Sequence, residues 1–169
     1  MTRTDMPPAW DERSSLTTFL DYARGVAVDK CADAAAEHIG NAPLPGSPLM
    51  TLGGLISHLR WVEQWWFEGV FLGREDDIEW PWTDEDPDRE MRLGATAPID
   101  QLIAEYEAKC EEYRALVAAT DLDAVSVREL GRGTRPTLRW VLMHLIEETS
   151  RHNGHLDVLR ELADGRTGD

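Results

Sequence analysis

Four long stretches of this chain repeat their apolar residues every three or four positions, and that periodicity narrows the available folds most. Successive residues of a helix turn by ~100°, so such a repeat gathers apolar side chains on one face. In the first stretch, Asp11 to about Glu37, no proline intervenes, and Leu16, Phe19, Leu20, Ala23, Ala27 and Cys31 form the expected buried face. HIGNAPLPGSPL then breaks the pattern with three prolines and two glycines. A second stretch runs from near Leu49 to about Leu72, with Leu52, Leu55, Leu59, Val62, Trp66 and Val70 in its stripe. Gly53 and Gly54 lower helix propensity there and would permit close packing. The third helix is predicted from Ile99 to Thr120, with Leu102, Ile103, Tyr106, Cys110, Tyr113 and Leu116 or Val117 inward. The fourth is predicted from near Pro136, where proline suits a first turn, to about Ala163, with Gly165 as its stop. Between them DLDAVSVRELGRGTRP reads as a loop with strand-like character at 125–127.

Four amphipathic helices predict an all-α protein, a four-helix bundle forming one domain over residues 1–169. The acidic, turn-rich 73–97 segment is too long for an ordinary connector. A helix of ~22 residues is ~33 Å long, and a segment of that length can run back along it. Helices 2 and 3 are therefore expected to be parallel, joined by a crossover.

Charge and composition exclude several functions. A net charge of −15 repels a phosphate backbone and an anionic membrane surface, so neither nucleic acid nor membrane is an expected partner. No apolar run approaches the ~20 residues of a membrane span. MTRTDMPPAWDERSS lacks the apolar segment of a secretory signal, which makes the cytoplasm the expected compartment. Cys31 and Cys110 form no C-x-x-C pattern and read as buried, reduced thiols.

Polar residues on inward faces are the functional signal. Three of the five histidines fall between 144 and 155, in HLIEETSRHNGH. The inward stripe of the fourth helix is Leu138, Val141, Leu142, Leu145, Thr149, Leu156, Leu159 and Ala163. His152 falls inside it, and Glu148, four residues earlier, sits at its edge. His144 and His155 lie toward the same flank, whereas Glu147 points to solvent. On the second helix His58 lies between Leu55 and Val62. An inward histidine must satisfy two ring nitrogens, and a buried carboxylate needs a partner. One divalent cation shared by His58, Glu148 and His152 meets all three needs. Two imidazoles and a carboxylate suit zinc first, with nickel, iron or manganese compatible, and three protein ligands leave a position for water or substrate. The bland alternatives are a hydrogen-bonded core histidine at 58 and a surface charge pair at 148 and 152. Glu63 also lies inward, with an arginine ion pair as its simplest explanation. Seven tryptophans, including Trp61, Trp65, Trp66 and the WPW at 80–82, suit core or cover. Trp61 lies off the stripe and suggests an interface.

GLISHL on the second helix followed by HLIEETSRHNGH on the fourth resembles the DinB-like superfamily. Within it the chain is similar to small actinobacterial proteins with an opening like DERSSLTTFLDYARG and an ending like RHNGHLDVLREL. The resemblance implies a bundle of up-down-down-up course with a long crossover between helices 2 and 3. It implies a divalent metal held by His58 and by two residues four apart on the fourth helix, and a homodimer. Many members carry histidine at both helix-four positions. Here the first is Glu148, and the His58, Glu148, His152 set instead resembles the metal-binding domain of mycothiol-dependent maleylpyruvate isomerases. That likeness implies a low-molecular-weight thiol such as mycothiol and an electrophilic small molecule as partners. The expected function is thus a metal-dependent S-transferase or isomerase in which the metal activates the thiol. His155 or His144 would move the proton. A metal-dependent hydrolase and a non-catalytic, stress-related metal-binding bundle are the alternatives.

Overall fold

The computed structural model describes residues 3–168, and among them all regular structure is helical. The helices are α1 (Glu12–Cys31), α2 (Ala36–Ile39), α3 (Leu52–Gln64), α4 (Arg89–Gly94), α5 (Ile99–Ala119) and α6 (Leu138–Asp164). A π-helical segment, Trp65–Phe71, continues α3, and a 3₁₀ turn spans Glu75–Asp77. Among the described residues no helix is long and apolar enough to cross a membrane.

Side-chain caps set the starts of three helices. Asp11 accepts from the Ser14 N–H at 3.0 Å, Thr51 from Gly54 at 2.9 Å and Thr137 from Trp140 at 3.3 Å. The predicted starts at Leu49 and Pro136 are each corrected to a helix opening one residue after a threonine cap. The first helix stops at Cys31, short of the expected Glu37. Arg160 of α6 donates to the carbonyls of Lys30 at 3.2 Å and Ala32 at 2.7 Å, satisfying the helix end. Asp33 then turns at φ +57°. Arg13 serves α5 in the same way, donating to Val117 and Thr120 carbonyls at 2.7 and 2.8 Å. Gly165, at φ +78°, ends α6 as expected.

The long helices bury their apolar faces in two clusters. One gathers Ala27, Cys31, Leu52, Leu55, Ile56, Leu59, Tyr106 and Leu156; the other gathers Leu20, Phe67, Phe71, Tyr113, Leu142 and Leu145. Phe19 is the exception to the predicted stripe: it is 47% exposed. In sequence a polar layer falls between the clusters on α1, α3 and α6. Arg24 of α1 and Glu63 of α3 are fully buried and form a bidentate pair with bonds of 2.9 and 2.5 Å, and Tyr106 Oη donates to Glu63 at 3.1 Å. On α6 this level carries Glu148, Thr149, His152 and Asn153, so Asn153 joins the buried stripe, as does Arg160.

The segment between α3 and α5 does more than connect. It contains α4, which the acidic composition concealed, and α4 packs on α3 backbone to backbone. A Cβ on Gly53 would lie 2.3 Å from the Gly94 carbonyl oxygen, and one on Gly94 would lie 2.3 Å from that of Gly53. Trp80 and Trp82 return to α3 and its π-helical extension and pack on Trp61 and Trp65, with ring centroids 5.4–6.3 Å apart. Trp61 thus meets a surface of its own chain. The strand-like 125–127 stretch forms no strand. Val127 and Arg128 N–H groups cap the π-helical end at the Phe71 and Val70 carbonyls, at 2.9 and 3.1 Å.

Candidate metal centre

His58 is carried by α3, and Glu148 and His152 by α6. Helical spacing puts Glu148 and His152 one turn apart on one face. The packing of α3 on α6 brings His58 opposite them. Glu148 Oε1 lies 3.1 Å from His152 Nε2 and 3.6 Å from His58 Nε2. One donor atom from each residue falls within 4.8 Å of the others, a group that could hold a metal ion. Zinc–ligand bonds of ~2.0–2.1 Å at tetrahedral angles separate donor atoms by ~3.4 Å. The observed separations fit such an ion with little movement.

The electrostatics suit the same role. Burial and the neighbouring His58 hold the His152 pKa below its ordinary value. For Glu148 burial acts upward, but His152, His58 and Arg151 outweigh it, and its pKa is lowered. At neutral pH these two residues therefore present a neutral imidazole and a carboxylate, the forms in which they ligate metals.

Two further side chains address the far nitrogens of the imidazoles. His58 Nδ1–H donates to Glu90 Oε1 at 3.0 Å. Glu90 is buried on α4, whose backbone is tied to α3 by the Ser57 hydroxyl, which donates to the Glu90 carbonyl at 2.9 Å. His155 Nδ1 lies 3.4 Å from His152 Nδ1. The Glu90 contact fixes the His58 tautomer whose Nε2 lone pair faces the centre, and the His155 contact is compatible with the same tautomer of His152. Glu90 is the residue sequence reasoning missed. It lies in the acidic run DEDPDREM, where nothing in spacing or composition separates it from its solvated neighbours. Glu63, by contrast, is the partner of Arg24, as its simplest explanation required.

His144 stands apart. Its ring stacks on Trp140 at 5.1 Å and 7° and meets Trp66 edge-on at 4.5 Å. It is not among the three residues of the metal-binding group. Glu147 is exposed and pairs with Arg151. The cysteines are buried, and burial raises both thiol pKa values, Cys31 to about 12, so neither is a ready nucleophile.

No curated protein matches the chain. The sequence model of one family does, that of the mycothiol-S-transferases, over residues 15–165. The match takes in α1 through α6, including His58, Glu148 and His152, and agrees with the DinB-like character of the two motifs. The chain therefore belongs to the mycothiol-S-transferase family.

Proposed function

We propose that this protein is a metal-dependent S-transferase that joins mycothiol to an electrophilic carbon of a small molecule. The observation that carries the reading is the convergence of His58, Glu148 and His152 within 4.8 Å in a chain of this family. His58, Glu148 and His152 would hold the metal, zinc first and nickel, iron or manganese as alternatives. When bound, the divalent ion supplies positive charge that lowers the thiol pKa, so that thiolate is available at neutral pH.

The chain's own residues do the rest. Glu90 keeps the Nε2 lone pair of His58 toward the centre. His155 is better placed than His144 to take the thiol proton. Its ring lies beside that of His152, with centroids 5.4 Å apart, whereas His144 is held between two indoles. The thiol sulfur forms the new C–S bond, and the leaving group departs with the bonding electron pair; in an isomerisation the sulfur is later expelled again. The proposed architecture is one domain, a four-helix bundle of α1, α3 with its extension, α5 and α6 in up-down-down-up order. Residues 73–97 are its crossover, and a cytoplasmic homodimer is the proposed assembly.

Elemental analysis of the purified protein and of His152→Ala tests the centre. About one metal ion per chain, lost in the variant, is expected. Conjugation of mycothiol to monochlorobimane by the zinc-loaded protein tests the activity. A rate equal to that of the metal-free protein refutes the transferase reading.

A further inference from the structure

Two cavities of different character flank the metal-binding group. One, about 300 Å³, has His58 in its wall together with Trp61, Trp65 and Trp82 and the carboxylates of Asp88 and Glu90. The other, about 260 Å³, has His152 and His155 in its wall together with Leu49, Met50, Leu55 and Met91. Helix α4 divides them, with Glu90 facing the first and Met91 the second. Indole faces and carboxylates suit a hydroxyl-rich molecule: the rings take C–H faces and the carboxylates accept O–H donors. Apart from the two imidazoles and the Ser47 hydroxyl, the second cavity offers a ligand only carbon and sulfur. No lysine or arginine lines either one. The protein itself supplies no cation there to offset the lost hydration of a carboxylate or phosphate, in a chain already at −15.

We infer that the cavity between Met50, Met91 and His152 is the site of the second substrate, and that this substrate is an uncharged, apolar molecule of one or two fused rings. The size follows from its volume. A cavity of ~150 Å³ accommodates benzene, and 260 Å³ leaves room for a naphthalene-sized body. The electrophilic carbon would then lie beside His152 and His155, with the thiol carrier approaching from the indole side. The word electrophile rests on the transferase reading; the occupancy of the cavity does not.

The test is therefore binding without thiol, by ligand-observed NMR titration of the protein stripped of metal, so that only the cavity walls are compared, with 1-chloronaphthalene and with 1-naphthoate. The neutral ring is expected to bind about tenfold or more tightly than the anion. Ser47→Trp, which fills the cavity from its rim, and Met91→Glu, which charges its wall, are each expected to weaken it about tenfold or more. Trp82→Ala is expected to leave it within about twofold, because the indole cavity is the separate one. Circular dichroism shows which of the two cavity variants keep the fold, and either suffices. Absence of binding, equal affinity for the anion, or loss through Trp82→Ala alone overturns the assignment. Ring binding that follows these variants, in a protein that conjugates no thiol, refutes the transferase reading and leaves the cavity assignment standing.

Discussion

Replacing Glu90 by glutamine isolates the contribution of a side chain that touches no expected metal ligand atom. Glu90 is 4% exposed, and its Oε1 accepts the Nδ1–H of His58 at 3.0 Å. That bond holds the tautomer and ring angle His58 needs, and the negative charge makes the opposite nitrogen a better donor. Glutamine keeps the shape and an acceptor but removes the charge. Loss of such an outer partner lowers metal affinity by ~10–100-fold, which is ~1.4–2.7 kcal/mol at ~1.36 per factor of ten. A charge-assisted hydrogen bond contributes ~1.5–3 kcal/mol, the same range, so the estimate does not depend on one route. The assay is competition for zinc against a chromophoric chelator at pH 7.5. Zinc affinity of Glu90→Gln within about twofold of the parent, with an unchanged circular dichroism spectrum, would refute the positioning role. A separate cost in stability is expected. Glu90 Oε2 has no hydrogen-bond partner, and an amide nitrogen at that buried position would be an unpaired donor.

Arg24→Met alone is expected to destabilise the fold by ~3–5 kcal/mol in urea titrations, because Glu63 would be left buried and unpaired. Arg24→Met with Glu63→Leu should recover most of that loss; no recovery would mean the pair matters through something other than charge. Gly53→Ala should cost ~1–3 kcal/mol, since its methyl would meet the Gly94 carbonyl at 2.3 Å and force α4 off α3, and the same variant should weaken zinc binding by displacing Glu90. Native protein should be inert to a disulfide thiol reagent at pH 8 and yield two thiols once unfolded in guanidinium. Burial lifts Cys31 from 9.0 to about 12, so its protonated form is favoured in the fold. Cys110 is lifted in the same way, so the associated stability is complete below pH ~9 and declines by up to ~1.36 kcal/mol per unit for each of the two thiols as pH rises toward the folded values, which a urea midpoint series from pH 8 to 10 measures.

The periodic stripes were enough to place the long helices, because burying one face of an amphipathic helix is a local, repeating requirement. Their ends were less legible. Arg160 and Arg13 stop helices from more than 100 residues away, which no window of sequence contains. Thr51 and Thr137 cap their helices just beyond the predicted starts at Leu49 and Pro136. Phe19 fitted a stripe by spacing, yet it faces the groove beside α6. The candidate centre was legible because an imidazole or carboxylate on an apolar face is costly without a partner, and that cost shows in the pattern of His58, Glu148 and His152.

What the sequence determined by itself is the helical class, the presence of polar groups on inward faces, and the family to which the motifs belong. Which of those groups meet was decided only by the tertiary structure. Glu148 and His152 are neighbours by helical spacing, but His58 joins them through the docking of α3 on α6, and Glu90 through a glycine contact that presses α4 against α3. His144 and His155 look equivalent in the sequence. They diverge because packing puts one between Trp66 and Trp140 and the other against His152. Local periodicity reports what a residue needs, and only the packing of distant segments settles what it finds.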